Sequence, residues 1–425
     1  MEGFPDTSQD DAIALLEASI AAFLRREADP FGSGSAWIAC REFGLFSLLG
    51  SAPDSLGFSL SAYARLLASI SRLSGRLAFA VAQTNQARLL AAGGGRAAEG
   101  ALEAVALDSL SRGPGNDPHA LRFESALPPG APDVLWVGRT PNGHADLPRA
   151  ISSTCIDELR LMPLVQGSAL YVFTVHPESL EKAERIDLDE AARQGLAVKQ
   201  VLDTMAISHG QLWRGFELVL AFCDERLVFN RRLVQFQNIR AVLASTYARL
   251  RALSAVISAA CANLQVDAVD RLEVLAAIHR RASLRLAGDL MQAFGGTAFM
   301  EDSGMPEIYS NVIKLSIGSE WFAAPGRIAR TEWLAGQAAV WIGGLMARAD
   351  VGSRDFWSTY AQRAIDEVPD ALGRLLELAG LCLALEHIGA KDDECGGSLR
   401  DYLEHEVRES AMAVRHGTFP YVAAQ

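Results

Sequence analysis

The chain has 425 residues, half of them hydrophobic, and a formal net charge of −12. That acidity argues against a nucleic-acid partner, but it does not exclude an anionic ligand held by a local group of cations. A chain of this length can bury a sizeable core and is expected to form about two or three domains.

The six cysteines, Cys40, Cys155, Cys223, Cys261, Cys382 and Cys395, are scattered, with no C-x-x-C pair and no histidine at metal spacing. They read as reduced thiols of a cytoplasmic protein. The opening Met-Glu-Gly-Phe-Pro-Asp is acidic and lacks an apolar run, so no secretory signal is expected. No stretch approaches a membrane-spanning length without charge.

From Ser8 to Arg26, the residues Ile13, Leu16, Ile20 and Phe23 recur at helical spacing, and Asp10 and Asp11 favour the start of that helix. Tyr63, Leu66, Leu67 and Ile70 repeat the pattern over Ser59 to Arg76. Between these helices lie Phe43-Gly44-Leu45-Phe46-Ser47-Leu48-Leu49, a polar loop, and Leu56-Gly57-Phe58-Ser59. A further helical block runs to about Gly93, where Gly93-Gly94-Gly95 breaks it. Across 103–200, proline and glycine become frequent and separate β-type runs at Val134–Val137, Ala150–Ser153 and Ala169–Val175. Three long helices follow, Leu202–Phe229, Phe236–Leu264 and Val269–Phe294, whose short connections suit an antiparallel bundle. Helical periodicity then continues through Trp333–Met346, Asp355–Glu367, Asp370–His387 and Leu399–His416.

The expected class is therefore α+β and mostly α. It comprises an N-terminal helical domain (1–102), a small, reduced central β domain (103–199), a C-terminal four-helix bundle (200–332) and a helical extension (333–425). The extension carries Trp333, Trp341, Phe356, Trp357 and Tyr360, which suit either packing on the bundle or docking of a partner subunit or carrier protein. His209, His279 and His387 sit in apolar helical context and read as core or interface residues.

Two segments carry more than fold. The first runs Leu284-Arg-Leu-Ala-Gly-Asp-Leu-Met-Gln292-Ala-Phe294-Gly295-Gly296-Thr-Ala-Phe-Met-Glu-Asp302, continues through Met305-Pro-Glu-Ile-Tyr309 and closes on Arg327-Ile-Ala-Arg330. A helix ending at Phe294 is followed by paired glycines that let backbone approach a ligand, with Gln292 one turn earlier. The second is Arg226-Leu-Val-Phe229-Asn230-Arg-Arg-Leu233-Val-Gln-Phe236-Gln237-Asn-Ile-Arg240. Alone, this second segment is also what an ordinary helix–turn–helix with surface arginines looks like. Together, the two segments resemble the acyl-CoA dehydrogenase family, which writes the second as Arg-x-x-Phe-Gly-x-x-Leu-x-x-Phe-Gln-x-x-Gln. Arg226, Phe229, Leu233, Phe236 and Gln237 match that pattern, while Asn230 replaces the glycine and Arg240 the last glutamine. Asn also tolerates a left-handed backbone.

The resemblance covers roughly residues 8–330 and implies a flavoprotein fold with FAD as cofactor. In the family, the residues matching Arg226, Phe229, Gln237, Gln292, Gly295 and Gly296 hold the adenosine diphosphate half of a neighbouring subunit's FAD. That implies a homo- or hetero-oligomer, dimer or tetramer, acting on an acyl thioester of coenzyme A or of an acyl carrier protein.

The flavin ring would rest on the chain's own β domain, where the sequence departs from the family. Ser111–Asp117 is a shortened echo of Thr-Glu-Pro-x-Ala-Gly-Ser-Asp, and Ala150 replaces the Trp before Ser152, a candidate hydrogen-bonding partner of the flavin. A Pro/Gly-rich loop beside a strand is equally common in any β domain. The family's catalytic Glu, ten residues after the position of Tyr309, falls on Ser319, with Glu320 one residue beyond. One residue on a helix is about 100° of rotation. Glu320 is thus the best candidate base, and equally a solvated helix residue. The alternative base position of the family falls on Gln200, an amide. The resemblance implies an acyl-CoA dehydrogenase-like flavoprotein, a catalytically silent partner subunit lacking its own base and flavin cradle, or a diverged enzyme with other thioester or flavin–oxygen chemistry.

Overall fold

The computed structural model describes residues 6–27, 35–49, 55–93, 102–105, 121–125, 134–138, 149–151, 156–163, 169–175, 178, 182, 184–185, 189–262, 268–318, 382, 404–405 and 407–408. Ser152, Ser111–Asp117, Ser319, Glu320 and the helices expected beyond 330 lie outside the described residues. The chain divides into two compact units, Met1–Arg214 with Phe299–Pro325, and Gly215–Ala298 with Gly326–Gln425. The fold class is α+β and mostly helical.

The first unit opens with α1 (Asp6–Arg26) and α2 (Ser35–Glu42), then a 3-10 turn at Leu45–Ser47. Next come α3 (Leu60–Leu73) and α4 (Gly75–Gly93), packed on each other. Ser59 caps α3 by accepting the Ala62 N–H at 3.1 Å, an arrangement worth about 1 kcal/mol. Tyr63, Leu66, Leu67 and Ile70 are fully buried, so the apolar stripe read from the sequence is the core face. The sequence extends this helix to Arg76, yet it stops at Leu73. Ser74 is extended (φ −157°, ψ 113°), and the chain reverses at Gly75, where a Cβ would lie 2.9 Å from Asn311 Nδ2.

Seven strands follow, β1 (Leu102–Val105), β2 (Leu121–Ser125), β3 (Val134–Gly138), β4 (Arg149–Ile151), β5 (Ile156–Pro163), β6 (Ala169–Val175) and β7 (Glu184–Arg185). They form a four-stranded sheet of order β1-β3-β4-β7 and a three-stranded sheet of order β2-β6-β5. Among the described residues, only the β1–β3 pair is parallel. Val134–Val137 and Ala169–Val175 are strands as expected, and of Ala150–Ser153 the described part, Ala150 and Ile151, is strand. Leu102–Val105, Leu121–Ser125 and Ile156–Pro163 carry charged residues that break up the apolar signal, and the sequence reading passed over them.

Helix α5 (Glu190–Glu225) begins well before the expected Leu202. Asp189 is the reason, since its Oδ1 accepts the Ala192 N–H at 2.7 Å and starts the helix. Helix α8 (Met305–Gly318) also belongs to the first unit and follows Gly304, whose φ of 71° only glycine adopts cheaply.

In the second unit, α5 ends at Glu225 rather than at Phe229. Strands β8 (Leu227–Val228) and β9 (Arg231–Arg232) form a short hairpin there, followed by a 3-10 turn at Leu233–Gln235. Helices α6 (Gln237–Ala262) and α7 (Ala268–Phe294) pack together, with Leu250, Leu253, Val256, Leu275, Ile278, Leu286 and Leu290 buried. Among the described residues, no helix is long and apolar enough to cross a membrane. Among the described residues, Cys40, Cys223, Cys261 and Cys382 form no disulfide.

Candidate functional site

The second unit concentrates its unusual backbone at one end. Strands β8 and β9 pair with Leu227 opposite Arg232 and Val228 opposite Arg231, leaving a two-residue loop. Phe229 (φ 51°) and Asn230 (φ 59°) are both left-handed, the pattern of a type I′ turn, whose twist matches that of paired strands. Asn is among the residues that take such a conformation readily, whereas Phe is not. Phe229 is nevertheless held at the hairpin tip with 89% of its surface exposed. The hairpin is anchored on both sides. Leu233 N–H donates to the Arg226 carbonyl at 2.9 Å, and the Arg232 guanidinium pairs with Asp224 at 2.9 Å. Arg231 stacks its guanidinium on the Phe236 ring at 5.2 Å.

The end of α7 lies beside this hairpin. The Phe222 and Phe294 rings stack with centroids 4.6 Å apart and planes at 35°. Phe222 is one turn before Arg226 and accepts the Arg226 N–H at 2.9 Å. Phe294 directly precedes Gly295, whose φ of 65° ends α7 in a left-handed residue. This contact brings Arg226, Phe229, Gln292, Gly295 and Gly296 to one end of the unit. All five are exposed, and neither glycine has a heavy atom within 4 Å of the position a Cβ would take. Gln237 is exposed at the first position of α6. The Arg226 side chain makes no hydrogen bond or ion pair among the described residues. A free guanidinium, an exposed ring and an open glycine turn can receive a phosphate group and an attached flat ring, because arginine matches phosphate oxygens with paired donors.

The first unit holds a buried polar centre that the sequence reading missed. Lys199 Nζ donates to Asp203 Oδ2 at 2.5 Å and to the Ala82 carbonyl at 3.0 Å, and it lies 4.9 Å from the Tyr63 ring. Tyr63 OH donates to Asp203 Oδ1 at 2.6 Å. Burial pushes Lys199 down and Asp203 up, each towards its neutral form, and their mutual attraction opposes both shifts. Burial, then the Asp203 charge, raises the Tyr63 hydroxyl. Each group satisfies the others, so this is a joint between α3, α4 and α5. The i,i+4 spacing of Lys199 and Asp203 was visible; their burial was not.

A second joint links α3, α5 and α8. Gln211 Nε2 donates to the Ser71 carbonyl at 2.5 Å, Asn311 Nδ2 donates to Gln211 Oε1 at 3.1 Å, and Ser71 Oγ donates to the Ile207 carbonyl at 2.7 Å. His209 and His279 are buried, as expected. His209 Nε2 accepts the Trp213 indole N–H at 2.9 Å, and His279 Nδ1 lies 3.2 Å from Ser283 Oγ. Gln200 is half-buried, and its backbone carbonyl accepts the Thr204 hydroxyl. On α8, burial raises the Glu307 carboxyl while the Arg214 charge lowers it.

Residues 195–319 match the family model described as the acyl-CoA dehydrogenase, C-terminal domain. No curated protein matches the chain. Solved structures of similar fold include butyryl-CoA dehydrogenase from Megasphaera elsdenii, with TM-score 0.56 and 13% identity over 77% of this chain and 97% of that one. The ChsE4-ChsE5 complex from Mycobacterium tuberculosis gives TM-score 0.54 and 18% identity over 78% of this chain and 98% of that one. The FAD complex of PigA gives TM-score 0.56 and 16% identity over 79% and 98%. At such identities the likeness establishes the fold, not the activity.

Proposed function

We propose, for a chain that has the acyl-CoA dehydrogenase fold and is a diverged relative of that family through its C-terminal domain, that it is a flavoprotein acting on an acyl thioester of coenzyme A or a carrier protein. The reading rests on the Phe222–Phe294 stack, which gathers the matching positions of two distant segments at one end of the second unit. FAD is the cofactor this reading implies, and when bound it would supply the hydride acceptor. Arg226 would bind its pyrophosphate, Phe229 and Gln237 would pack against it, and Gln292 with the Gly295–Gly296 turn would meet its adenosine half, across an interface with a second subunit. Ser152 is the proposed hydrogen-bonding partner of the flavin ring, and Glu320 the proposed base for the α-proton of the thioester. Within this proposal the protein is a cytoplasmic homo- or hetero-oligomer divided at 102, 199 and 332.

A second reading is favoured by the amide Gln200 and the hydroxyl Ser319 at the two positions where the family carries its Glu. Neither side chain can take the proton as a carboxylate does. On that reading, the chain is a catalytically silent subunit that completes a partner's flavin site. The visible spectrum of the purified chain separates the two. Yellow protein with about one FAD per chain, bleached anaerobically by an acyl-CoA and no longer bleached in Glu320→Gln, is the result expected of the enzyme. Colourless protein that takes up FAD only with a second polypeptide is expected of the silent subunit. No flavin under either condition would sink both.

A further inference from the structure

Among the described residues, the two most exposed large apolar side chains are both phenylalanines. Phe229 is 89% exposed and Phe299 75%. A ring left in water adds almost nothing to folding, because its stabilisation comes from the apolar area it removes from solvent. Phe229 sits at the tip of the β8–β9 hairpin, and Phe299 follows the glycine turn at the end of α7.

The backbone sets the place of Phe299. Residues Gly295–Phe299 form one continuous 3-10 helix. Such a helix repeats every three residues and rises about 6 Å per repeat, so positions i and i+3 lie in line. Ala298, in line with Gly295, is fully buried, which fixes that side of the helix against the protein. Gly296 and Phe299 share a different line, and both are exposed. No heavy atom lies within 4 Å of where a Gly296 Cβ would stand, so the Phe299 ring does not fold back over the glycine. The helix therefore presents bare backbone at Gly296 and an aromatic ring one repeat further on.

The neighbouring groups indicate what such a step receives. Gln292 is exposed one turn before Gly296. The Phe222–Phe294 stack brings the Arg226 segment to the same turn, and the Arg226 side chain is exposed and unpaired. A contact made only by apolar side chains uses neither a free guanidinium nor an open glycine. A flat ring that carries phosphate uses both, and it also uses an exposed aromatic face. That combination describes a nucleotide.

We propose that Phe299 stacks on the adenine of an adenosine diphosphate group whose ring lies over Gly296. FAD and coenzyme A both carry that group. The flavoprotein reading above, on which the proposal rests, makes FAD the source. Phe299 then distinguishes the dinucleotide from FMN, which has the flavin ring and phosphate but no adenine.

Calorimetric titration of the flavin-free, full-length chain with ADP, FAD, FMN and coenzyme A tests it. Phe299→Ala should weaken ADP and FAD about tenfold, the loss of one base–aromatic stack, and leave FMN and coenzyme A unchanged. Phe299→Leu should behave like Phe299→Ala, because it keeps apolar area without a π face. Phe299→Trp should keep the affinity, and ADP should quench its added emission. All three variants should melt within about 2 °C of the parent, since the side chain is exposed. Unaltered ADP and FAD affinity in Phe299→Ala, full affinity in Phe299→Leu, an equal loss for FMN, or a loss confined to coenzyme A would each overturn the assignment of Phe299 and leave the flavoprotein reading intact. If the parent binds neither ADP nor FAD, the flavoprotein reading falls, and the stack with it.

Discussion

His209 shows what burial does to a single group. It sits in an apolar helix, accepts the Trp213 indole N–H, and burial pushes it down to about 4. The folded chain therefore keeps this ring neutral at a pH where the unfolded chain protonates it. Stability from this source is complete above the unfolded value near 6.5 and is lost as pH falls towards about 4. Between pH 7.5 and pH 5 the loss from this residue should be about 2 kcal/mol. Urea melts at the two pH values should show it, and His209→Gln should flatten the dependence. An equally steep dependence in the variant would assign it to other groups. Phe229 and Asn230 make the complementary point about backbone. Asn230 at a position the family gives to glycine signals a left-handed residue, and its φ of 59° agrees. Phe229, at φ 51°, carries no such signal, because only pairing of the flanking strands imposes it.

At the scale of elements, α3 and α5 approach so closely that a side chain cannot intervene. A Cβ on Gly210 would stand 2.1 Å from the Ala68 carbonyl and 2.7 Å from Ser71 Cβ. The neighbour is backbone and cannot rotate away. Gly210→Ala should therefore destabilise the chain by more than about 3 kcal/mol, despite alanine's better helix propensity. It should also separate Ser71 from the Ile207 carbonyl that its hydroxyl reaches at 2.7 Å. Chemical denaturation measures the first effect, and amide exchange along α3 the second. A variant as stable as the parent would mean that the helices have room to part. Gly295 and Gly296 behave differently, having open space where a Cβ would project. Gly296→Ala should leave stability within about 1 kcal/mol of the parent and, if that turn meets a cofactor, still weaken flavin retention.

For the whole molecule, the net charge of −12 hides a local reversal. Arg226, Arg231, Arg232 and Arg240 fall within one short segment, and Arg232 is neutralised by Asp224 while Arg226 is not. A free cation on an acidic protein is a natural anchor for an anionic ligand. Under the proposed function, Arg226→Ala should lower FAD affinity at least tenfold and make the remaining binding less salt-sensitive, since the lost contact is ionic. Its melting temperature should be unchanged, because the side chain is exposed and unpaired. Flavin fluorescence titration at two ionic strengths reads this out. Unaltered affinity would remove Arg226 from the site.

The sequence by itself determined the helical class, the three strands with clean apolar runs, the apolar face of α3, the end of α7 and the spacing of the Arg226 and Gln292 segments. These are all properties of local periodicity, capping and glycine placement, which act within a few residues of chain. It located the start of α5 too late because Asp189 acts through one side-chain hydrogen bond rather than through periodicity. Only the tertiary structure decided that Phe222 meets Phe294 and that Lys199, Asp203 and Tyr63 share one buried centre. Such facts depend on which side chains from distant segments are desolvated together, and desolvation is a property of the packed molecule that no stretch of chain carries alone.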